Sequence, residues 1–515
     1  MKGGVSLKRL LAIILIALTL AGCTSQGGAY VPTGDALHQD TPIIPTVPKQ
    51  EQEQELTMVY YPDKSMNPYT SSDFTNRALF PLVYQGLFSV DAKYTVVPIL
   101  CKNYRVNKDM TVYTFYLEPA TFSDGSVITA ADVVASLQAA QGNAVYSGRF
   151  AQIKSIWAAE DGGVVVTTHT PYENLPILLD IPIVKADQVY AERPLGTGAY
   201  YYEQSIAGLR LCRRNDWWCY GNLPATASNI PLRQATSPSQ IRDNFQFADV
   251  SLVCADPGSD TYADYRCDYE LWDCENGIFL YIGCNLESTV FSNPSVRKAL
   301  THAIDRDALT EEFYRGFARS ATLPASPQSP YYNHVLAKRY GYDAPVFKAA
   351  LEAAGMVDWT ITLLVNNDDT MRVRAGRAIA DMLRQGGLKV KVTELGGSSY
   401  RDALKKGQYD LYLGQTKLSP NMDLSAFFAG KGTLSYGGIA NAAMLTACWD
   451  ALANIGNYYT LHQKVMEDGC LVPVLFRSYA IYTDRGLFSA LDPARDNIFF
   501  YTLGKTLEGI LLDAA

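Results

Sequence analysis

The chain has 515 residues, 48% of them hydrophobic and 19% charged, which places it among globular proteins and excludes a disordered one. A formal net charge of −8 excludes a nucleic-acid binder, which needs a basic footprint. The length suffices for two or three bodies with cores of their own.

The N-terminus speaks for export. Lys2, Lys8 and Arg9 make a basic start, Leu10 to Leu20 is almost unbroken apolar, and Leu20-Ala21-Gly22-Cys23 closes the run. These are the zones of a secretory signal, too short for a membrane span. Residues 1–22 are expected to be a signal peptide. The last four resemble the lipobox of bacterial lipoproteins, which implies cleavage before Cys23 and a lipid on its thiol. Residues 24–55 follow, with Gly27, Gly28, Pro32, Gly34, Pro42, Pro45, Pro48 and a Gln/Glu run. They offer little to bury and read as a flexible tether reaching roughly 30 Å. No later segment has the length and apolarity of a transmembrane helix.

Further on, Thr111–Leu117 alternates as a strand, and Ser123-Asp124-Gly125 marks a turn. Thr129 with Asp132 forms a capping-box pattern for a helix that carries Ala130, Val133, Val134 and Leu137 on one face. Asn293-Pro294 starts a second helix through Val296, Ala299, Leu300, Ala303 and Ile304, and a third runs from Pro345 to Gly355. Residues 360–413 are the most regular stretch. Ile361–Val365 is a strand, then a helix runs through Ala375, Ile379, Met382 and Leu383. Leu388, Val390 and Val392 form a strand, Tyr400, Ala403 and Leu404 a short helix, and Tyr409–Leu413 a strand. This alternation predicts an α/β fold with an open sheet, in which ligands gather beyond the strands' carboxyl ends. The loop after Leu413 is therefore a candidate site.

Catalytic and metal signals are missing. The histidines at 38, 169, 302, 334 and 462 have no metal-ligand spacing, and His302 falls among core positions. There is no GxSxG, HExxH or GxxxxGK[ST]. Ser295-Val296-Arg297-Lys298 spells SxxK without the companion motifs of serine enzymes, and Gly196-Thr197-Gly198 leads into a strand, so a tight turn is expected there. Beyond Cys23 nine cysteines remain, an odd number, with Cys212, Cys219, Cys254, Cys267, Cys274 and Cys284 clustered. Disulfides are permitted outside the cytoplasm, but spacing does not give their connectivity, and without a CxxC neither a redox motif nor a zinc knuckle is supported. The chain is expected to be no enzyme and to need no cofactor or metal.

Several segments in order resemble the extracellular solute-binding proteins of family 5, the oligopeptide, dipeptide and nickel binders of ABC importers. They are Ser65-Met66-Asn67-Pro68, Val83-Tyr84-Gln85-Gly86-Leu87-Phe88, Phe122-Ser123-Asp124-Gly125 with Ile128 to Val133, and Pro194 to Tyr200. Val296 to Leu300 with Ala303-Ile304-Asp305-Arg306, Ala353-Ala354-Gly355 and Gly407 to Leu411 follow. The resemblance implies a two-lobed, type II periplasmic-binding-protein-like fold with an extra subdomain in the first lobe. It sets lobe I at 56–284 (extra subdomain about 76–194), lobe II at 285–474, and a return to lobe I at 475–515. It implies an exported monomer, lipid-anchored to the cell membrane on its extracellular or periplasmic face, that closes on a peptide or related small solute and passes it to ABC permeases. The alternative is a surface sensing or chaperone protein of the same fold, uncoupled from import.

The family pattern also points to site residues. Tyr400 stands where oligopeptide binders stack an aromatic on the ligand, Tyr146 near a tyrosine of their extra subdomain, and Asn285 at the lobe crossing. Thr416 and Ser419 replace the family's tryptophan and amino-group aspartate, with Gln415 and Lys417 beside them and Asp423 at a following aspartate. A pocket of hydroxyls without the charged anchor is expected to prefer neutral or amino-blocked ligands, or an anion reaching Lys417.

Overall fold

The computed structural model describes residues 55–257, 265–495 and 497–512. The described residues include β1 (Met58–Tyr60) and a ribbon of β2 (Phe88–Val90) and β3 (Val96–Pro98). β4 (Cys101–Val106), β5 (Val112–Leu117), β6 (Ile153–Ala158) and β7 (Val164–Thr168) make an antiparallel sheet in the order β4-β5-β7-β6. Helix α1 (Ala130–Gln141) lies between β5 and β6 in sequence, and its capping box is present: Thr129 N–H donates to Asp132 at 2.8 Å, and Asp132 N–H to the Thr129 hydroxyl at 3.4 Å. β8 (Tyr200–Ser205), β9 (Gly208–Arg213) and β10 (Asn229–Gln234) join β1 in a second four-stranded sheet. The Gly196–Gly198 segment does feed a strand, β8, and packs so tightly on the Val83 carbonyl that a Cβ at either glycine would collide with it.

The largest sheet has seven strands. β11 (Leu252–Ala255) and the long β12 (Glu270–Cys284) come first. Helices α2 (Pro294–Leu300) and α3 (Arg306–Tyr314), strand β13 (Ala318–Ser320) and helix α4 (Ala344–Ala354) follow. Then β14 (Thr360–Asn366), α5 (Thr370–Gln385), β15 (Lys389–Leu395), α6 (Gly397–Lys405) and β16 (Leu411–Lys417) alternate as the apolar pattern predicts. Helices α7 (Ala442–Ala453) and α8 (Tyr458–Asp468) lead to β17 (Leu471–Thr483). The order is β11-β17-β12-β16-β14-β15, with β13 on β17. β14 runs parallel to β15 and β16, while β12 is antiparallel to both neighbours.

β12 and β16 fit through a reciprocal exchange: Tyr281 faces Gly414 and Gly283 faces Tyr412. A Cβ on either glycine would run into the opposing ring, so each strand supplies the space that the other's aromatic fills. One hydrophobic cluster packs α2 to α5 on β12, β14 and β16, through residues such as Leu280, Ile282, Leu300, Phe347, Leu363, Ile379 and Leu413. Another joins the two four-stranded sheets and also takes Leu418, Phe427, Met444, Leu452 and Leu461. Backbone bonds support that second contact, with Glu173 N–H donating to Leu452 O at 2.9 Å.

Of the histidines, His302 bonds Gly341 O at 2.7 Å, in keeping with a structural role. His462 on α8 is fully buried, neither ring nitrogen has a hydrogen-bond partner, and desolvation holds its pKa down at about 3. The depressed value means that its contribution to stability is complete above the unfolded value of about 6.5 and is lost as pH falls toward 3. In urea unfolding at pH 7 and pH 5, the parent should therefore lose about 2 kcal/mol more stability than His462→Met; parallel losses would mean that His462 is protonated in the fold.

Candidate functional site

Two features set the β12–β17 pair apart. The first is a break in its ladder: the register holds from Glu270 opposite Thr483 to Glu275 opposite Ser478, then shifts before resuming at Phe279 opposite Phe476, with a further one-residue shift between Leu280 and Tyr281. Gly277 lies in the break with φ +71°, and its carbonyl accepts from Leu418 N–H at 3.1 Å. A Cβ there would stand 2.8 Å from the Arg495 guanidinium, so both conformation and space call for glycine.

The second is Arg477, opposite the break and 3% exposed. Its Nη1 donates to Asp369 at 3.0 Å and to the Gln415 side-chain oxygen at 3.1 Å, its Nη2 to Asp256 at 2.7 Å, and its guanidinium lies 5.7 Å from the Tyr314 ring centroid. Asp256 directly follows β11, whereas Asp369 caps α5 by accepting from Arg372 N–H at 3.0 Å. Burial by itself lowers the Arg477 pKa, but Asp256, Tyr314 and Asp369 outweigh it and raise the value.

Nearby is a cavity of about 750 Å³, part of it open to solvent. Its lining includes Arg77, Arg149 and Arg495 against one carboxylate, Asp180, with Tyr84, Tyr146 and Tyr501 among the aromatic walls. Two guanidiniums lie close to the Tyr146 ring centroid, Arg77 at 5.4 Å and Arg149 at 5.1 Å, and the Tyr146 hydroxyl accepts from Arg77 at 3.3 Å. Asn76 positions Arg77 by bonding both backbone groups of Tyr61, at 2.8 and 3.0 Å. Asn143 positions Tyr146: its amide bonds Tyr69 O and its oxygen accepts from Val145 N–H at 2.6 Å. A single 3₁₀ turn, Ser147–Phe150, then delivers buried Arg149 to its ion pair with Asp180. The lining thus holds three arginines and one aspartate.

Among the described residues, no group of three or more His, Cys, Asp or Glu could hold a metal ion, and no helix is long and apolar enough to cross a membrane. The model of the bacterial extracellular solute-binding proteins, family 5 Middle, matches residues 95–434. The chain belongs to family 5 of these solute-binding proteins. It is 26% identical over 362 residues to the glutathione-binding protein GsiB of Escherichia coli K12, spanning 67% of this chain and 70% of that one. Its fold is similar to NikA from Brucella suis, solved with Fe(III)-EDTA (TM-score 0.69, 20% identity, 87% of this chain and 99% of that one). It is also similar to AppA from Bacillus subtilis, solved with a nonapeptide (TM-score 0.60, 20% identity, 89% and 100%). The fold is the two-lobed type II α/β arrangement that the motifs imply. A family 5 protein binds a peptide or small solute for an ABC importer and does no chemistry on it. Accordingly, the SxxK residues have structural tasks: Ser295 N–H donates to the helix cap Asn293 at 3.0 Å, and Lys298 pairs with Glu467.

The residues singled out from the family 5 motifs end in several places. Tyr146 lines the cavity. Ser419 is close to it, since a methyl on Gly148 would stand 3.4 Å from its hydroxyl. Gln415 meets Arg477. Gln415, Thr416 and Lys417 are not in a loop: β12 pairs with β16 as far as Ile278–Lys417, which draws the strand four residues past Leu413, and all three are half-buried. Tyr400 gives its hydroxyl to Leu413 O at 2.9 Å. Asn285 spends its amide on Gly407 O (3.3 Å) and Tyr409 O (2.9 Å) and its oxygen on Glu287 N–H (3.0 Å), so it braces the end of β12. Asp423 accepts from the N–H and hydroxyl of Ser425, both at 2.8 Å, and desolvation raises its pKa. It does not line the cavity. Arg77, Arg149, Asp180, Asp256, Asp369 and Arg477 were not marked by any motif. Cys23 and the tether up to residue 54 lie outside the described residues.

Proposed function

We propose that this family 5 protein captures a small carboxylate-bearing solute against the wall formed by Arg77, Tyr146 and Arg149, and delivers it to the permeases of an ABC importer. The supporting observation is the approach of two guanidiniums to the Tyr146 ring, in a lining where arginines outnumber the one aspartate. Planar, forked guanidiniums suit carboxylates, and a site that supplies cations and no spare carboxylate disfavours a free ammonium. Glutathione and EDTA, bound by the two relatives named above, both carry carboxylates. The lobes 56–284 and 285–474, with the return at 475–515, close on the solute by bending at the Glu275–Phe279 break. Tyr400, Thr416, Lys417, Ser419 and Asp423 belong in this reading to the second lobe's face of the cleft, where Ser419 comes nearest the cavity. Mass spectrometry of the solute released on unfolding the natively purified protein identifies the ligand class, which is expected to be anionic. In calorimetry with that solute and its amide, Arg77→Met should weaken the carboxylate form about tenfold or more, as for loss of a hydrogen bond to a charged group of roughly 1.5–3 kcal/mol, and leave the amide form little changed. Equal effects on both forms would sink the reading.

The same reading puts the protein on a lipid anchor at Cys23, carried by the signal zones before it. Cys23→Ala should accumulate as unprocessed precursor without incorporated fatty acid; a variant processed and retained like the parent would remove the anchor.

A further inference from the structure

All nine cysteines of the described residues are thiols in this structure. The end of one strand pair nevertheless brings two of them close together. The β12–β17 ladder ends with Ile282 opposite Val472 and Gly283 opposite Leu471, and one step beyond it Cys284 N–H donates to Cys470 O at 3.0 Å. Opposed residues in a hydrogen-bonded rung have Cα atoms about 5.5 Å apart, inside the range that a disulfide spans. The Cys284 thiol donates to the carbonyl of Gly469, the residue before Cys470, at 3.4 Å. Cys254 and Cys274, by contrast, face Ile481 and Tyr479 from opposite sides of β17.

The corner that holds the pair is well fixed. Arg297 donates to Asp468 O at 3.2 Å and to Phe291 O and Ser292 O at 2.9 and 3.0 Å. Gly469, at φ +72°, lets the chain turn back against the Arg297 backbone, where a Cβ would come within 2.6 Å. Both cysteines are buried, Cys284 at 0% and Cys470 at 2% exposure, so a bond between them has to form while the exported chain folds and is then shielded from reductants.

We propose that Cys284 and Cys470 form a disulfide in the exported protein, fastening β12 to β17 at the end of the pair away from the Glu275–Phe279 break. In the reaction one cysteine thiolate attacks a disulfide of a small thiol or of an exported thiol oxidoreductase. The second cysteine displaces that partner from the mixed disulfide, and the oxidant leaves as two thiols holding the two electrons and two protons. The cross-link closes a loop around most of the second lobe and fixes the register of the two strands there, so that bending concentrates at the break.

The test uses the exported full chain, equilibrated in a glutathione redox buffer, alkylated after denaturation without reductant, and digested. A peptide pair joining Cys284 to Cys470 and abolished by reductant is expected. Reductant should also lower the melting temperature of the parent by about 5 °C or more. Cys284→Ala should show no such reductant-dependent drop, whereas Cys448→Ala, which removes a buried thiol on α7, should keep it. Full alkylation of Cys284 and Cys470 without reductant, or a linkage to any other cysteine, overturns the proposal. If Cys284→Ala fails to fold, Cys470→Ala and the peptide map decide alone.

Discussion

Arg477 brings a permanent positive charge into a junction where it is almost sealed from water, and a charge so placed must be paired and hydrogen-bonded. Its partners come from two directions. Asp256 follows β11, and Asp369 precedes α5. Asp369 holds the first turn of α5 with one oxygen and Arg477 with the other, so it cannot leave the arginine without disturbing its helix. Gln415 adds a third contact from β16. The guanidinium therefore couples elements on both sides of β17, at the point where the ladder to β12 loses register. Energetically, the arrangement is asymmetric: the complete set roughly balances its desolvation, while loss of one carboxylate leaves a buried charge exposed to the full penalty.

The cavity beside this junction uses charge differently. Arg77 and Arg149 both lie within cation–π distance of the Tyr146 ring, which attracts cations and limits their rotamers. Asp180 pairs with Arg149, and both line the space together with Arg77. Arg495 connects the regions. It lines the cavity, donates to Leu418 O beyond β16, and lies against Gly277 in the break. The ladder break and the cavity thus share a side chain.

Much of the fold was legible in the sequence because its signals are local. The Thr129–Asp132 box, the Asn293-Pro294 start, and the alternation over residues 360–413 all act within a turn or two of chain, and each produced the expected element. The family motifs were legible for the same reason. The extent of β16 was not, because its last four residues are strand only by pairing with β12, more than 130 positions away, and the Tyr281–Gly414 exchange that seats the two strands is visible only once they are paired. The cavity wall was hidden similarly. Tyr146 could be inferred by resemblance, but Arg77 is placed by Asn76, Tyr146 itself by Asn143 and Arg149 by the turn Ser147–Phe150, and the bonds of the two asparagines to distant backbone no periodicity reveals. Asn285 and Tyr400 bond backbone carbonyls at a strand end and a strand centre, partners that lie far enough along the chain to leave no local signal.

Capture by closure at the β12–β17 break is the claim on which the rest depends, and small-angle scattering tests it most directly. Protein stripped of solute by unfolding and refolding is compared with the same protein saturated with the solute it co-purifies with, occupancy being fixed by calorimetry. Bending at the break requires a smaller radius of gyration in the loaded sample. An unchanged radius at full occupancy, with the stripped sample confirmed empty, would contradict it.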